Sequence, residues 1–524
     1  MNAFAAAHRR PAISGAFTAC ALAALASCGG GGAVDDTSPY TTDNSTARGT
    51  LVRNPPERVA SWSAPVIADL LKALDNGDSL AAAAKDPVCD IDFHHLEYET
   101  VGVHDEPAQV SGVLMVPKGS ASACTGARPI VLYAHGTSAE RSYNLAAVSN
   151  TKNPAWTESL EVAAIFAAQG YIVIAPNYVG YDTSSLSYHP YLNADQQSKD
   201  MIDALTAARK ALGHVAASTT VDNGELFVTG YSQGGHVAMA TVRALQAAGQ
   251  TVTAAAPMSG PYALLAFVDS VVMGHVGLSA TEFMPLLTTS WQLSYGNLYS
   301  TTSDFYEDQY ATGIESLLPS ANSFDELVSA GKLPASALFS SNTPSTGDAT
   351  LNDALAEPSD PVYSQGFGTP NLVRNSVRIS YGRDALDNPD GARTSPQTVG
   401  VPPAANPTHP LRIAAKANDL RNWTPTSPML LCGGHADPTV DFSLNTLVMQ
   451  SYWSGLPSGQ VAVLDIDSAV DGSSDPYGPS KRGFAAVKSI LQKTGGDSSV
   501  RKNYHVYVAP FCSAAARDYF DTKQ

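Results

Sequence analysis

The sequence predicts an α/β protein in which helices cover both faces of a mostly parallel sheet and one large insertion interrupts the chain. Short, mostly apolar segments at residues 129–134, 171–176 and 252–257 have the composition of strands that are buried on both faces. Segments with helical spacing of apolar residues separate them, and this alternation is typical of parallel strands joined by crossover helices. The alternation stops after Gly260 and resumes at residue 428, which predicts the insertion.

The N-terminus has the features of an export signal rather than of a membrane span. A short basic region precedes an apolar run at residues 16–26, and Leu25-Ala26-Ser27-Cys28 resembles the bacterial lipobox, in which the cysteine receives lipid. We expect residues 1–27 to be a lipoprotein signal peptide and residues 28–50, rich in Gly, Ser, Thr and Asp, to be a flexible tether. An ordinary cleavable signal with an incidental cysteine is the alternative. The expected location is the bacterial cell envelope, with Cys28 as the lipid anchor to the outer membrane.

Charge and cysteine usage restrict the partners and the compartment. The formal net charge is −17, and it becomes −19 without residues 1–27, whose only charged side chains are two arginines. Such an acidic chain is not expected to bind nucleic acid. Four cysteines follow the lipobox, and an even number in an exported chain predicts two disulfides, which we assign as Cys89–Cys124 and Cys432–Cys512.

The elements before the central turn follow from their apolar spacing. Residues 65–74 have the pattern of a short amphipathic helix, and two alternating runs at residues 96–103 and 109–116 predict an antiparallel hairpin. Longer helices are expected at residues 158–169 and 193–212. With the strands between them, these segments form the first part of the core, over residues 51–260.

The central turn lies at Gly230-Tyr231-Ser232-Gln233-Gly234, between a buried strand and a helix. Small residues two positions before and after the serine relieve the crowding of so sharp a turn, which is the pattern of a nucleophile elbow. The turn holds the Ser232 hydroxyl at the tip of the strand. The backbone N–H of Gln233 and the positive end of the following helix are then directed at a developing oxyanion. We expect His236, on the same helix, to be a core residue.

A second oxyanion donor is expected after the strand at residues 129–134, which ends in His135-Gly136-Thr137-Ser138. Hydrolases with this arrangement place a backbone donor at such a turn. We assign the role to the N–H of Thr137, with Ser138 as the alternative, and expect His135 to be a structural hydrogen-bonding residue.

The loop that follows the strand at residues 171–176 leaves the carboxyl end of the sheet and therefore borders the same site. Tyr178, Tyr181 and His189 of this loop are candidates to line the acyl or alcohol pocket. Packing in the interior is the equal alternative for these three side chains.

The insertion covers residues 261–424, and its position predicts a cap over the carboxyl edge of the sheet. Its second half, residues 341–410, is rich in Pro, Asn, Asp, Ser and Gly and is expected to be largely irregular. A disordered linker is the alternative for the insertion as a whole. Apolar residues between 264 and 272 suit either a lipid-sensing face or burial against the core, and burial is the expectation.

The second part of the core, residues 425–524, supplies a carboxylate and a histidine. Asp437 follows a strand and a Gly-Gly turn, where a carboxylate can orient an imidazole, and Asp441 is the alternative. His505 is the only histidine after Asp437, so it is the predicted base, on a loop before a terminal helix at residues 513–520. The disulfide between Cys432 and Cys512 is expected to hold these two loops together.

These residues describe acyl transfer to water by a serine nucleophile. His505 would take the proton from Ser232 while Asp437 holds the imidazole tautomer. No cofactor is needed for this chemistry. His94, His95 and His104 match no metal motif, so no metal site is expected.

The chain resembles the α/β-hydrolase superfamily, and within it the secreted esterases and lipases of the secretory-lipase type. The resemblance extends over residues 129–520 and implies the α/β-hydrolase fold with a helical cap, hydrolysis of carboxylic esters, and a small-molecule or lipid ester as substrate. The acyl chain length, the alcohol and the oligomeric state stay open. The motifs that carry the resemblance are His135-Gly136-Thr137, Gly230-Tyr231-Ser232-Gln233-Gly234-Gly235, Asn418-Asp419-Leu420 with Trp423-Thr424-Pro425, Gly433 with Asp437 and Val440, and His505.

Two alternative functions remain at this point. A serine peptidase of the same superfamily uses the same catalytic residues, although no propeller-like set of repeated strands precedes the catalytic region. A non-catalytic surface binding protein on a hydrolase scaffold would explain a lipid tether, but such a protein normally lacks a member of the triad, and all three residues are present here.

Overall fold

The structure of the protein is a computed structural model, which describes residues 41–42, 47–215, 220–342, 344–394 and 400–524. The predicted signal peptide, Cys28 and most of the predicted tether lie outside these residues. In the described part of the chain, no helix is both long and apolar enough to cross a membrane.

The strands of the described residues are β1 (Thr41–Thr42), β2 (Arg53–Asn54), β3 (Glu57–Trp62), β4 (Asp90–Val101), β5 (Pro107–Lys118), β6 (Ala127–Ala134), β7 (Ile172–Pro176), β8 (Val221–Tyr231), β9 (Ala254–Met258), β10 (Phe339–Ser340), β11 (Phe367–Gly368), β12 (Met429–Gly433) and β13 (Val461–Asp465). Nine of these described strands form one sheet in the order β13-β12-β9-β8-β6-β7-β5-β4-β3. The strands from β6 onward pair in parallel, whereas β3, β4 and β5 form an antiparallel edge through which β5 also pairs with β7. The short strands β1 and β2 pair with each other, as do β10 and β11.

Helices cover both faces of the parallel part of the sheet, and this explains why its central strands are apolar throughout. Every residue of β7, β9 and β12 is buried, as expected where neither face meets solvent. The α-helices are α1 (Ala64–Lys72), α2 (Gly77–Ala84), α3 (Trp156–Ile165), α4 (Ala194–Val215), α5 (Gln233–Ala247), α6 (Leu264–Val272), α7 (Ala280–Tyr295), α8 (Asp308–Ala311), α9 (Phe324–Ser329), α10 (Ala349–Ala354), α11 (Pro361–Ser364), α12 (Asn375–Asp387), α13 (Pro410–Ala417), α14 (Thr446–Tyr452) and α15 (Gly478–Asp521). The predicted α/β-hydrolase fold is confirmed: a mostly parallel sheet lies between helices, with an insertion after the strand that follows the central turn.

The insertion between β9 and β12 contains α6 to α13 and has an apolar core of its own. Trp291, Tyr306 and Tyr381 are fully buried in that core. The fully buried guanidinium of Arg412 contacts the carboxylates of Asp269 and Asp384, each at 2.9 Å. Because a buried charge is tolerated only when it is paired, this network fixes the packing of α6, α12 and α13 within the insertion.

The second half of the insertion is less irregular than its composition suggests, because α12 forms a 13-residue helix within it. Arg378 of α12 is fully buried and donates to the carbonyl oxygens of Val272 and Leu355. The expectation of a largely irregular segment is therefore wrong for this helix. Its buried face carries an arginine and a tyrosine, so the sequence shows no apolar periodicity there.

The packed domain begins before Thr50, where the predicted tether was expected to end. The Arg48 guanidinium lies 2.9 Å from the Asp203 carboxylate, and the Gly49 N–H donates to the Glu99 carbonyl. Thr50 is buried. These contacts use backbone groups and an ion pair rather than large apolar side chains, so composition alone does not indicate them.

Both predicted cysteine pairs are disulfide-bonded in the structure. Cys89 precedes β4 and Cys124 precedes β6, so the first bridge ties the start of the antiparallel edge to the parallel core. Cys432 lies in β12 and Cys512 in α15. The second bridge therefore fixes the C-terminal helix to the strand that leads to Asp437.

Candidate active site

Ser232 occupies a strained turn between β8 and α5. Its φ of 58° and ψ of −120° fall outside the regions that ordinary residues prefer, and its N–H donates to the Met258 carbonyl of the neighbouring strand. The flanking glycines are sterically required. A Cβ at Gly234 would lie 1.9 Å from the Ala134 carbonyl oxygen, and one at Gly230 would lie 2.4 Å from the Gly234 carbonyl oxygen. The tight turn therefore depends on both glycines.

Ser232, His505 and Asp437 are joined by hydrogen bonds, although they lie far apart in sequence. His505 Nε2 is 2.9 Å from Ser232 Oγ, and His505 Nδ1 is 2.6 Å from Asp437 Oδ2. The Asp437 side chain is fully buried and the His505 side chain is 15% exposed. This order of groups is the one that general-base activation of a serine requires.

Asp437 is held by the backbone that follows it. Its Oδ1 accepts hydrogen bonds from the N–H groups of Thr439 (2.9 Å) and Val440 (3.1 Å). Asp441, the alternative carboxylate, instead accepts from the N–H groups of Ser443 and Leu444. The structure therefore brings Asp437, rather than Asp441, to the histidine.

His505 lies on a helix, whereas the sequence predicted a loop. The element α15 consists of two helical segments that meet at Gly496, whose φ of 64° and ψ of −163° are not helical, and the second segment contains both His505 and Pro510. Gly496 thus separates the two segments, as glycine often does, whereas the second segment continues past Pro510. Buried residues of α15, among them Phe511 and Phe520, pack against the core and position the helix.

Tyr231, which immediately precedes the serine, contacts the histidine from the strand side. Its hydroxyl donates to the His505 backbone carbonyl and lies 3.1 Å from His505 Nδ1, and the two rings are 4.9 Å apart. Burial raises the pKa of the Tyr231 hydroxyl, and the nearby Asp437 charge adds to that effect, so the phenol stays a neutral donor. Sequence analysis missed this residue because the pattern Gly-x-Ser-x-Gly leaves its position free.

Two cavities meet at Ser232. The smaller one, of about 80 Å³, is almost entirely apolar and lies under the cap helices α6 and α7; Leu264, Phe267, Val268, Val271, Met284 and Leu287 line it. The larger one, of about 570 Å³, has a mixed polar lining that includes Gly136, Thr137, Glu158, Glu161, Glu282 and His505. A molecule bound at the serine can therefore place one part in an apolar cavity and the other in a polar one.

Three glutamate carboxyl groups, Glu158, Glu161 and Glu282, line the larger cavity. Burial raises the pKa of Glu161 to about 8, with a further contribution from the nearby Glu158 charge. Burial likewise raises the pKa of Glu282 to about 7. Glu158 accepts hydrogen bonds from the hydroxyls of Tyr133 and Tyr143 at 2.8 and 2.5 Å. Across the described residues, no cluster of three or more His, Cys, Asp and Glu side chains is arranged to hold a metal ion.

The two residues predicted to supply oxyanion donors line different cavities. Gln233 lines the apolar cavity, and Thr137 lines the polar one, where its Oγ1 is 3.0 Å from the Tyr191 hydroxyl. His135 is fully buried, and its Nε2 is 3.1 Å from the Asn177 carbonyl oxygen. Burial lowers the pKa of His135, which fits a neutral, structural residue.

Tyr178 and Tyr181 do not line either cavity at Ser232, which corrects their assignment as pocket residues. Both are fully buried beneath the loop at residues 135–138. The Tyr178 hydroxyl donates to the His135 carbonyl at 3.2 Å, and the Tyr181 hydroxyl donates to the Ser138 carbonyl at 2.6 Å. Packing, the alternative role, describes them better. The sequence places Tyr178 and Tyr181 near the carboxyl edge of the sheet, but it does not give the direction of their side chains.

Comparison with known proteins agrees with this architecture. The prolyl oligopeptidase family, Peptidase_S9, matches residues 156–270, which include the central turn. No curated protein matches the sequence. A rice cell wall degrading esterase, LipA, from Xanthomonas oryzae is 25% identical, with 91% of this chain and 100% of that chain covered and a TM-score of 0.65.

A protein of known structure from Legionella pneumophila is 18% identical, with 89% and 96% of the two chains covered and a TM-score of 0.60. That similarity shows the fold alone. Together with the sheet topology and the strand-turn-helix at Ser232, these similarities identify the protein as a hydrolase of the α/β-hydrolase superfamily that is similar to a bacterial esterase.

Proposed function

We propose that the protein hydrolyses carboxylic esters through an acyl-enzyme on Ser232. The observation that carries this proposal is the hydrogen-bonded series Asp437–His505–Ser232 at the junction of two cavities. His505 Nε2 takes the hydroxyl proton as Ser232 Oγ attacks the ester carbonyl carbon, and Asp437 stabilises the imidazolium. His505 then gives the proton to the leaving alcohol. Water attacks the acyl-enzyme by the same steps and releases the acid.

The negative charge that develops on the carbonyl oxygen requires fixed donors. We assign these to the backbone N–H groups of Gln233, the first residue of α5, and of Thr137. Removal of one such donor costs about 10² to 10³ in rate. The proposal thus uses the positive end of α5 and the turn after β6 as the two halves of one oxyanion hole.

The two cavities suggest how an ester is oriented. The apolar cavity suits an acyl chain, because its lining excludes water and offers aliphatic and aromatic contacts. The larger cavity, with its carboxyl and hydroxyl groups, suits the alcohol part and the entry of water. LipA of Xanthomonas oryzae, which covers nearly the same length, is described as an esterase, and this supports ester rather than amide substrates.

A serine peptidase is the second candidate, because the family model that matches residues 156–270 is that of prolyl oligopeptidases. The match is confined to the part of the fold that holds the nucleophile. In the described chain before it, strands β3 to β6 all join the main sheet, and none of them forms part of a separate propeller. The esterase proposal therefore takes precedence.

Hydrolysis of p-nitrophenyl esters from C2 to C16 tests the proposal, with peptide p-nitroanilides assayed alongside. We expect ester turnover that Ser232→Ala abolishes, with a preference for short or medium acyl chains that reflects the small apolar cavity. Cleavage of the p-nitroanilides without cleavage of esters would favour the peptidase. No turnover of either class by the folded protein would favour a binding protein.

The cellular location is also a proposal. Two disulfides are consistent with an exported protein. We propose that Cys28 is lipidated and anchors the domain to the outer membrane, on the evidence of the Leu-Ala-Ser-Cys pattern. Metabolic labelling with a fatty-acid analogue, compared between the wild type and Cys28→Ser, tests this anchor: loss of label in the variant supports it, and an unlabelled wild type refutes it.

A further inference from the structure

A buried histidine contacts the residue that follows the nucleophile. His189 Nε2 lies 2.7 Å from the side-chain nitrogen Nε2 of Gln233, and His189 Nδ1 lies 2.8 Å from the Val179 carbonyl oxygen. Because a carbonyl oxygen only accepts, Nδ1 must carry the ring proton. Nε2 must then accept from the Gln233 amide. Burial lowers the pKa of His189 to about 3, so the neutral ring with this single tautomer persists at physiological pH.

The orientation of the Gln233 amide follows from that tautomer. If the amide were reversed, its oxygen would face the lone pair of His189 Nε2, and two acceptors would oppose each other. Gln233 is 1% exposed, and no described group hydrogen-bonds to its Oε1. The side chain therefore depends on His189 for its hydrogen bond, and through it His189 fixes the first residue of α5.

Three tyrosines from the same segment contact the turn that carries the other proposed donor, Thr137. Besides the bonds of Tyr178 to the His135 carbonyl and of Tyr181 to the Ser138 carbonyl, the Tyr191 hydroxyl is 3.0 Å from Thr137 Oγ1. The turn at residues 135–138 is thus held by phenol hydroxyls along its length.

The four side chains form one packed unit. The His189 ring centroid is 5.8 Å from that of Tyr178, 4.8 Å from that of Tyr181 and 6.0 Å from that of Tyr191. All four residues are no more than 5% exposed. Since rings packed in this way move together rather than singly, a shift at one contact is transmitted to the others.

We infer that this tyrosine–histidine cluster, Tyr178, Tyr181, His189 and Tyr191, positions both halves of the oxyanion hole relative to Ser232. The inference rests on the proposed function, and it makes these four residues positioning residues that act through the donors. Of the four, Tyr191 also lines the apolar cavity, whereas the other three line neither cavity. His189 acts on the Gln233 donor, and the tyrosines act on the turn that carries the Thr137 donor. Oxyanion donors must lie about 2.7–3.1 Å from the developing charge, so a small displacement weakens them.

Single-atom changes test the inference. Tyr181→Phe and Tyr191→Phe each remove one hydroxyl and keep the ring. We expect kcat for a p-nitrophenyl ester to fall by about 10-fold in each, a fraction of the 10² to 10³ that loss of a whole donor costs, with KM within twofold. The matched control is Tyr171→Phe, since Tyr171 is equally buried and its hydroxyl bonds to Asp521, away from the turn. Its kcat should not change.

A double-mutant cycle tests the histidine. If His189 acts through the Gln233 side chain, His189→Leu, Gln233→Leu and the double variant should show similar losses of kcat, because the second change removes nothing further. Multiplicative losses in the double variant would overturn the proposed coupling.

Two further readouts separate positioning from general destabilisation. The inhibition constant of a boronic acid that mimics the tetrahedral intermediate should rise by the same factor by which kcat/KM falls, while the urea midpoint stays near that of the wild type. A fall in kcat with an unchanged inhibition constant would overturn the inference, and so would wild-type kinetics in both tyrosine variants.

The rate of labelling by a fluorophosphonate keeps the inference distinguishable from the proposed function. Phosphonylation also develops negative charge on an oxygen in the same hole. A wild type that is labelled but cleaves no ester would overturn the esterase proposal alone, and the variants would still be ranked by their labelling rates. A folded wild type that is not labelled and cleaves no ester would overturn both.

Discussion

Replacement of Asp437 by asparagine keeps the shape of the side chain but should exchange the donor and acceptor nitrogens of His505. Asp437 Oδ1 accepts from the N–H groups of Thr439 and Val440, so the asparagine carbonyl oxygen must keep that position. Its amide NH₂ then faces His505 Nδ1, which is 2.6 Å from the carboxylate in the wild type. Nδ1 must become the acceptor, and the ring proton moves to Nε2. That nitrogen then donates to Ser232 Oγ and can no longer take its proton.

The expected fall in kcat follows from this wrong tautomer of His505. An asparagine at the equivalent position of a serine protease triad lowers kcat by about 10⁴, which corresponds to about 5.5 kcal/mol of transition-state stabilisation. We expect a loss of that size here for a p-nitrophenyl ester, with little change in KM, because Asp437 lines neither cavity.

The assay is steady-state hydrolysis near neutral pH by matched, folded samples. Asp441→Asn is the control, since Asp441 accepts only from nearby N–H and hydroxyl groups of its own loop and should leave kcat within twofold. The reasoning is refuted if Asp437→Asn retains more than a tenth of the wild-type kcat, or if the control loses as much as the test variant.

Two further predictions concern charge and covalent links. The pKa of Glu161 is about 8 in the folded protein and near 4.5 in the unfolded chain, so its protonated form contributes stability that is lost as pH rises between those values. From pH 6 to 9, the urea midpoint of Glu161→Gln should therefore fall less than that of the wild type. An equal fall in the two proteins would contradict the raised pKa. The Cys432–Cys512 disulfide spans 80 residues and the Cys89–Cys124 disulfide spans 35. Loop entropy therefore predicts that the free energy of unfolding falls by about 4.5 kcal/mol in Cys432→Ala/Cys512→Ala and by about 4 kcal/mol in Cys89→Ala/Cys124→Ala. Urea unfolding measures both, and a loss under 1 kcal/mol in either pair would contradict the estimate.

The central strands, as segments of the chain, and the central turn were predictable because local sequence dictates them. Strands buried on both faces are apolar throughout, and the glycines at 230 and 234 are required by contacts with backbone oxygens that no side chain can avoid. The cysteine pairs followed from an even count and from the order of the elements. For the strands and the turn, one physical constraint acts on a few neighbouring residues.

Other features depend on contacts between distant segments. The second helical segment of α15 follows Gly496 and continues past Pro510, and its packing against the core explains why His505 is helical. Helix α12 buries Arg378 and Tyr381, and the Arg378 Nε and Nη1 groups and the Tyr381 hydroxyl donate to partners in other parts of the insertion. Tyr231 and the tyrosine–histidine cluster likewise act through atoms that only the folded chain brings together.

The assignment of Ser232 as the nucleophile can be tested by the mass of the intact protein, and of its peptides, after reaction with a fluorophosphonate. We expect a single phosphonyl group on Ser232, no label on Ser232→Ala, and loss of ester hydrolysis in proportion to labelling. A label on another residue, or ester hydrolysis that persists in the fully labelled protein, would contradict the assignment of Ser232 as the nucleophile.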